Sequence, residues 1–429
     1  MASDSAMQGV IPLGCAGDPI ELYKGEGRLA DGTAGAVRVW VPMRRGIEVR
    51  WRFDDRQFVS LGPAELTITH PALGEVTVPV QASSTTGRGW SAGAELGADT
   101  PLDQVVVHWV NLPTIPPATA TSGPHGARDG RWQVEVDGWE LTLDGRDDLV
   151  DVRDQAREND EQFLVTHIGR LRRADRSVFD ATTAAEVLHG WQVALSFALG
   201  RWVAPALPVG FDGNGHRVWE EWAPWRCDPL DGCAAAWWDT RTGDDLAEFV
   251  TAFLEAYLDP AQHDEVRFVA VHAIAANHSG TTSEARVMLA QAALEHFAWV
   301  RLVLSTRMTA TAAKHLGAAG RIGCVLTDAK ISREVPAGLP ALAAKAEQRS
   351  LDGPEVATWV RNRLIHPKRP GEPYEIEGLV WQTSQLLLEY CELLLLYRLG
   401  YKGRFVRRYP PDRWAHAEAV PWAPSPSPS

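Results

Sequence analysis

The chain has 429 residues, a net charge of −13 and a hydrophobic fraction of 45%. This length suffices for two or three domains with sizeable cores, and the composition excludes a fibrous or largely disordered protein. The acidic balance argues against a basic protein that coats nucleic acid.

The five cysteines form no Cys-x-x-Cys pair, so neither a disulfide scaffold nor a zinc ribbon is predicted. Cys227 and Cys233 flank two aspartates but lack histidine partners at a suitable spacing, so we interpret them as unrelated thiols. No metal and no cofactor are expected. The residues before Cys15 lack the basic and apolar segments of a leader, and no apolar run reaches the ~18 residues of a membrane span. We therefore predict a cytoplasmic protein.

The first half of the chain alternates between apolar and polar residues. Ile47, Val49, Trp51 and Phe53 alternate with charged residues, the period of a half-buried strand. Further strands are predicted at 37–41, 76–80, 105–110, 132–136 and 139–143, with Asp137-Gly138 as a hairpin turn and an exposed loop at 117–131. Residues 1–240 are thus predicted to form a β-rich domain, either a sandwich or a barrel-like fold.

The second half of the chain has helical spacing. Helices are predicted at 244–257, 264–276, 283–304, 339–349, 354–366 and 375–399. The predicted fold class is therefore α+β with two domains, in which an all-α domain at 244–408 follows the β-rich domain. Residues 409–429 end in repeated Ser-Pro and are predicted to form a disordered tail.

Positive charge is concentrated in one part of the helical half. Residues 301–369 contain 12 basic and five acidic residues, whereas the acidic excess lies mainly before residue 244. A polyanion would be attracted to this segment, although a solvated helix surface has the same composition.

The basic segment ends in Arg361-Asn362-Arg363-Leu364-Ile365-His366-Pro367. This Arg-Asn-x-x-x-His pattern at the end of a helix resembles the motif of the HEPN superfamily of ribonucleases. Glu284-Ala-Arg286 and the helix through Tyr397 extend the resemblance over about 244–408. The first half, with Gly130-Arg-Trp132 and Thr166-His167-Ile-Gly169, is similar to the β-rich N-terminal domains of ApeA-type abortive-infection proteins.

The helix geometry limits what one copy of the motif can do. Asn362 and His366 are four residues apart and share a helix face, whereas Arg361 and His366 are about 140° apart. Pro367 disfavours helical geometry at His366, so the helix is expected to end there. The resemblance implies a second solution, a composite site built from the motifs of two copies in a homodimer.

The motif residues suit metal-independent RNA cleavage. Histidine moves protons near neutral pH, so His366 is the predicted acid–base group. The Arg361 guanidinium would stabilise the charge that develops on the phosphate, and Asn362 would hold either His366 or the phosphate. The ribose 2′-hydroxyl is the nucleophile, so the expected product is a 2′,3′-cyclic phosphate. Arg363, Lys368 and Arg369 are candidate RNA-backbone contacts.

Three alternatives stay open at this stage. The resemblance is also compatible with a non-catalytic HEPN module that binds RNA or serves as a scaffold. Glu295 could pair with Arg361, but we leave it outside the predicted site. Gly89-Trp90-Ser91-Ala92-Gly93 matches the G-x-S-x-G pattern of serine hydrolases, but its loop-like flanks argue against Ser91 as a nucleophile. The expected partners are an RNA substrate, further copies of the chain in a homodimer or a higher homo-oligomer, and a phage-derived trigger at the N-terminal domain.

Overall fold

A computed structural model describes residues 7–44, 46–55, 59–97, 99–116, 131–230, 235–409 and 417–423. The chain divides into two compact units. The first comprises 1–192 with 202–232, and the second comprises 193–201 with 233–429. The protein is mixed α and β, with a β-rich N-terminal region and a helical C-terminal region, as the sequence predicted. The loop predicted at 117–131 lies almost wholly outside the described residues.

Six strands of the first unit close into an antiparallel barrel, in the order β1-β2-β3-β6-β5-β4. The strands are β1 (Ile20–Leu29), β2 (Ala34–Val41), β3 (Arg50–Phe53), β4 (Gly62–His70), β5 (Gly74–Ser84) and β6 (Arg88–Trp90). The alternation predicted from Ile47 is regular strand only from Arg50, and Ile47 itself makes an isolated bridge to Trp225. Trp51 and Phe53 point into the barrel core, as the period of two requires.

The first unit also contains a seven-stranded antiparallel sheet, in the order β7-β13-β12-β8-β11-β10-β9. Its strands are β7 (Glu95–Leu96), β8 (Gln104–Val110), β9 (Arg131–Val136), β10 (Trp139–Gly145), β11 (Val165–Arg173), β12 (Ala204–Phe211) and β13 (Arg217–Glu221). Two helices that the sequence analysis missed accompany the sheet, α1 (Leu149–Glu158) and α2 (Ala181–Leu199). The last residues of α2 belong to the second unit.

The second unit is predominantly helical. Its helices are α3 (Gly243–Leu258), α4 (His263–Asn277), α5 (Ser283–Trp299), α6 (Ala310–Asp328), α7 (Pro340–Arg349), α8 (Gly353–Ile365) and α9 (Leu379–Arg398). A π-helical turn, Val300–Leu304, extends α5, and a 3-10 turn, Glu372–Tyr374, precedes α9. Helix α5 packs against α4, α6, α8 and α9, so it forms the centre of this unit.

Helix α5 with its π-helical turn is long and apolar enough to cross a membrane by length and composition alone, and it is the one such helix among the described residues. The core helix of a soluble protein passes the same test, and just under half of the apolar window is buried inside this unit.

The residues after α9 are held by a buried ionic network. The Arg408 side chain is 1% exposed and donates to both carboxylate oxygens of Glu392, at 2.8 and 2.5 Å, and to the Asn277 side-chain oxygen at 2.8 Å. Glu389, which is also buried, accepts from the Tyr409 hydroxyl at 2.7 Å and from the Arg408 backbone N–H at 3.0 Å. Each buried charge therefore has a partner, which buried charges require.

Part of the segment predicted to be disordered is ordered strand. Strand β15 (Ala417–Ala419) pairs antiparallel with β14 (Arg404–Val406). The Trp422 indole N–H donates to the Tyr401 carbonyl oxygen at 2.7 Å, and its ring packs edge-on against Tyr397. The prediction of disorder is therefore wrong for 417–423, while 410–416 and 424–429 lie outside the described residues.

Candidate functional site: the C-terminal end of helix α8

Local sequence signals determine where α8 begins and how it is held. Asp352 accepts a hydrogen bond from the Glu355 backbone N–H, and the Glu355 carboxylate accepts from the Asp352 backbone N–H, both at 3.0 Å. This reciprocal capping box, with Pro354 in the first turn, starts the helix one residue before the predicted start. Val356 and Val360 are fully buried, so one face of α8 faces the core and fixes the rotation of the helix.

The helix ends where Pro367 predicted. Ile365 is the last helical residue, and His366 has φ −128° and ψ 68°, outside the α region. The His366 backbone N–H still donates to the Asn362 carbonyl oxygen at 2.8 Å. Its imidazole is exposed and makes no hydrogen bond or ion pair within the part of the chain that the structure describes. The side chain is therefore available to a ligand or to a second copy.

Arg361 and Asn362 contact each other. The half-buried Arg361 donates from Nη1 to the side-chain oxygen of Asn362 at 3.1 Å. The structure thus brings two of the three motif residues into a hydrogen bond, and the Asn362 amide positions Arg361 rather than His366. This bond occupies one guanidinium N–H and leaves the rest of the fork free to contact an anion.

The predicted RNA-backbone contacts have partners of their own. Arg369 forms a two-pronged ion pair with Glu375, with both N–O distances at 2.6 Å. Arg363 lies 3.7 Å from a Glu372 oxygen and donates to the His366 carbonyl oxygen at 3.4 Å. Glu372 also accepts from the Lys368 backbone N–H. An RNA phosphate would compete with carboxylates for the two arginines, whereas the exposed Lys368 ammonium makes no such pair with a described residue.

Glu295 pairs elsewhere. It lies 3.6 Å from the Arg321 guanidinium and accepts from the Gln291 amide at 3.2 Å. The same amide is 3.3 Å from the Thr358 hydroxyl, so this chain of contacts links α5 to α8. Glu295 thus supports the helix that presents the motif, and it makes no contact with Arg361 in the described part of the chain.

The sequence analysis missed a group of cations around Trp359, on α7 and α8. The Lys345 ammonium is 5.2 Å from the centre of the Trp359 indole, and the guanidinium carbons of Arg349 and Arg363 are 4.8 and 5.6 Å from it. We call these four residues the Trp359 cluster. A positive charge over an indole face is attracted by the electron-rich ring. The signal available in the sequence was i, i+4 spacing within each helix, but nothing there showed that α7 and α8 meet.

Ser91 is not a hydrolase nucleophile in this structure. Its side chain is 1% exposed, and its hydroxyl donates to the Pro79 carbonyl oxygen at 2.7 Å and accepts from the Gly93 N–H. The next regular element is strand β7, whereas a nucleophile elbow requires a helix there. Within the described ranges, no three His, Cys, Asp or Glu side chains lie close enough together to hold a metal ion. Cys233, considered earlier with Cys227, is outside those ranges.

Two protein-family models match parts of the chain. The model described as the YopA central domain matches residues 97–233, and the model described as the YopA C-terminal domain matches residues 264–419. The chain is also 28% identical over 272 residues to the SPbeta prophage-derived uncharacterized protein YopA of Bacillus subtilis (strain 168). The aligned region is 62% of this chain and 59% of that protein, so less than two thirds of the relative is covered. No solved structure matches significantly. The resemblance to HEPN and ApeA proteins stays a prediction.

Proposed function

We propose that the chain is a metal-independent endoribonuclease of the HEPN type that acts as a homodimer in the cytoplasm. The observation that supports this most strongly is the exposed end of α8. Arg361 and Asn362 are hydrogen-bonded to each other there, and the imidazole of His366, at the end of the same helix, is free of partners among the described residues. An exposed acid–base group and a permanently charged guanidinium suit phosphoryl transfer from RNA, provided that two copies bring them to the same phosphate.

The proposed reaction needs no nucleophile from the protein. The ribose 2′-oxygen bonds to the adjacent phosphorus while the bond from phosphorus to the 5′-oxygen breaks. His366 of one copy accepts the 2′-hydroxyl proton, and the second His366 donates a proton to the departing 5′-oxygen. Arg361 carries the negative charge that builds on the phosphate oxygens, and its bond to Asn362 keeps the guanidinium oriented. The products are a 2′,3′-cyclic phosphate and a free 5′-hydroxyl.

Dimerisation at this end of α8 is supported by exposed apolar side chains. Ile365 is 43% exposed, Tyr374 is 58% exposed and Trp381 is 51% exposed. They lie on α8, the 3-10 turn Glu372–Tyr374 and α9, and this turn packs against both helices. A two-fold contact here would bury these side chains and bring two copies of the motif together.

The biological role we propose is defence against phage or a related toxin system, in which the N-terminal region responds to a phage-derived trigger. The prophage origin of the similar Bacillus subtilis protein supports a role in the encounter between phage and host.

The test is cleavage of end-labelled total RNA and transfer RNA by the full-length protein, with and without EDTA. We expect cleavage that resists EDTA, leaves cyclic phosphate ends and is lost in His366→Ala. The matched control is His315→Ala, because His315 is an exposed histidine on α6 within the same unit. Products with 5′-phosphate ends, or equal cleavage by wild type and His366→Ala, would show that the proposed mechanism is wrong.

The second candidate is a non-catalytic module that binds RNA. The Trp359 cluster favours it, because cations around an indole could hold RNA without any contribution from the motif. If the wild-type protein binds RNA but leaves it at full length, even with protein in excess over RNA, the result would support the binding module.

A further inference from the structure

The Trp359 cluster is a concentration of positive charge with little compensation. Three cations surround one indole, and Glu372 beside Arg363 is the one carboxylate at ion-pair distance from any of them among the described residues. Lys345 donates to the neutral Gln348 amide oxygen at 2.8 Å. The exposed Arg349 has no hydrogen bond or ion pair to a described residue. Like charges held this close repel one another, so an anion at the cluster would stabilise it.

The cluster and His366 lie along the same side of α8, whereas Arg361 is about 140° from His366 around the helix. Trp359, Arg363 and His366 are separated by four and three residues, the spacing of a single helix face. Lys345 and Arg349 are four apart on α7, which packs against α8. The seven residues of helix from Trp359 to His366 span ~10 Å. A stacked single strand, with a rise of ~3.4 Å per nucleotide, would place about three phosphates along that length.

We propose that the Trp359 cluster binds the backbone of single-stranded RNA and guides the strand to the motif at the end of α8. This proposal rests on the proposed function, because it takes RNA as the substrate. Lys345 and Arg349 contact successive phosphates, and the indole gives a base a surface on which to stack. Cations interleaved with an aromatic ring bind single strands with little sequence preference. The substrate class is therefore a single-stranded segment of at least four nucleotides, with the cut at one end of the contacted stretch.

The experiment measures binding of a fluorescent 20-nucleotide polyuridine by full-length His366→Ala protein, in which the RNA stays intact. In that background, the cluster variant, Lys345→Gln/Arg349→Gln, removes two cations from the Trp359 cluster. The control variant, Arg267→Gln/Lys402→Gln, removes two exposed cations from elsewhere in the same unit. The cluster variant is expected to raise Kd about tenfold at low salt and to reduce the slope of log K against log salt by about 0.7 for each lost contact. The control should leave both quantities close to those of the parent.

Three outcomes are informative. Weaker binding in the cluster variant alone, with an unchanged Tm, supports the proposal. If the His366→Ala parent binds RNA, both variants bind it equally well and the wild type cleaves it, the cluster proposal is wrong. The proposed function would then still stand. No binding by the parent and no cleavage by the wild type overturns both. Trp359→Phe keeps an aromatic ring and should retain most of the affinity, whereas Trp359→Leu should lose it.

Discussion

Two histidines of the β-rich unit and the motif histidine of the helical unit lie in opposite surroundings. The β-rich unit encloses His108 and His167 completely, and loss of hydration on burial lowers the pKa of His108 to about 4 and that of His167 to about 3. The helical unit buries charges that are already paired, such as Arg408 with Glu392, and leaves His366 exposed at a helix end. His108 and His167 thus contribute to packing in the first unit, whereas His366 of the second unit is accessible to a ligand.

The largest expected effect tests the exposed motif. Arg361→Ala and His366→Ala should each lower RNA cleavage by about 10²- to 10⁴-fold, since each removes a group that the proposed reaction uses in its transition state. Because the proposed reaction uses the His366 of both copies, mixing the two inactive proteins should not restore the activity. Cleavage assays of the mixture, after subunits have exchanged, check this. Full activity in either single variant would contradict the assignment.

The next effect concerns the paired charge inside the helical unit. Arg408→Met should lower the free energy of unfolding by about 3–5 kcal/mol, because Glu392 then stays buried without a partner. Burial already raises the pKa of the Glu392 carboxyl, so the isolated group should take up a proton. Urea denaturation measures the change. The matched control is Arg369→Met, whose ion pair with Glu375 is exposed and should contribute no more than about 1 kcal/mol.

Acid should destabilise the β-rich unit through its buried histidines. Their folded pKa values lie below the unfolded value of about 6.5, so the unfolded state binds more protons as pH falls below 6.5. Each of His108 and His167 should cost about 2 kcal/mol at pH 5 relative to pH 7.5. Glu221 opposes this loss, because burial, with a contribution from Glu95, raises its pKa to about 7. The stabilisation of the folded state by Glu221 is present below pH 4.5 and is lost as pH rises through 7.

The pH effect can be separated by substitution. Glu221→Gln removes the opposing titration, so its loss of stability from pH 7.5 to pH 5 should exceed that of the wild type by about 2 kcal/mol. Chemical denaturation at both pH values provides the comparison. An identical pH dependence in the two proteins would show that Glu221 does not titrate in this range.

The smallest effect tests the serine in the barrel. Ser91→Ala should leave RNA cleavage unchanged and should lower stability by about 1 kcal/mol, because it removes one hydrogen bond to the Pro79 carbonyl. A loss of RNA cleavage with unchanged folding would show that Ser91 serves the reaction and not only the packing of the barrel.

Sequence reasoning succeeded where the controlling residues are local. Pro367 predicted the end of α8, and Asp137-Gly138 predicted a hairpin turn, in which both residues have positive φ. It failed for α2, because the helix is apolar nearly all round and shows no period. Helix α6 was missed as well. It contains three glycines, at 317, 320 and 323, and Gly317 breaks the helical geometry with φ 68°.

The candidate site was predicted only in part, for the same reason. Arg361, Asn362 and His366 lie within one short segment, so their pattern is visible in the sequence. The Trp359 cluster requires Lys345 and Arg349 from α7, and its formation depends on how two helices pack. The pairing of Glu295 with Arg321, rather than with Arg361, is likewise a tertiary contact that spacing along the chain does not reveal.

The strand pair β14–β15 has a practical consequence for anyone who shortens or labels this protein. A truncation after Tyr409, the natural choice if the tail is thought to be dispensable, would remove Ala417–Ala419 and leave the pairing edge of Arg404–Val406 open. It would also remove Trp422, whose indole caps the Tyr401 carbonyl and covers Tyr397. An uncovered strand edge beside exposed aromatic rings invites aggregation. Affinity tags and reporter fusions should therefore follow Ala423. Precipitation of a shortened protein would reflect the open strand edge and should not be taken as evidence that the protein is a toxin.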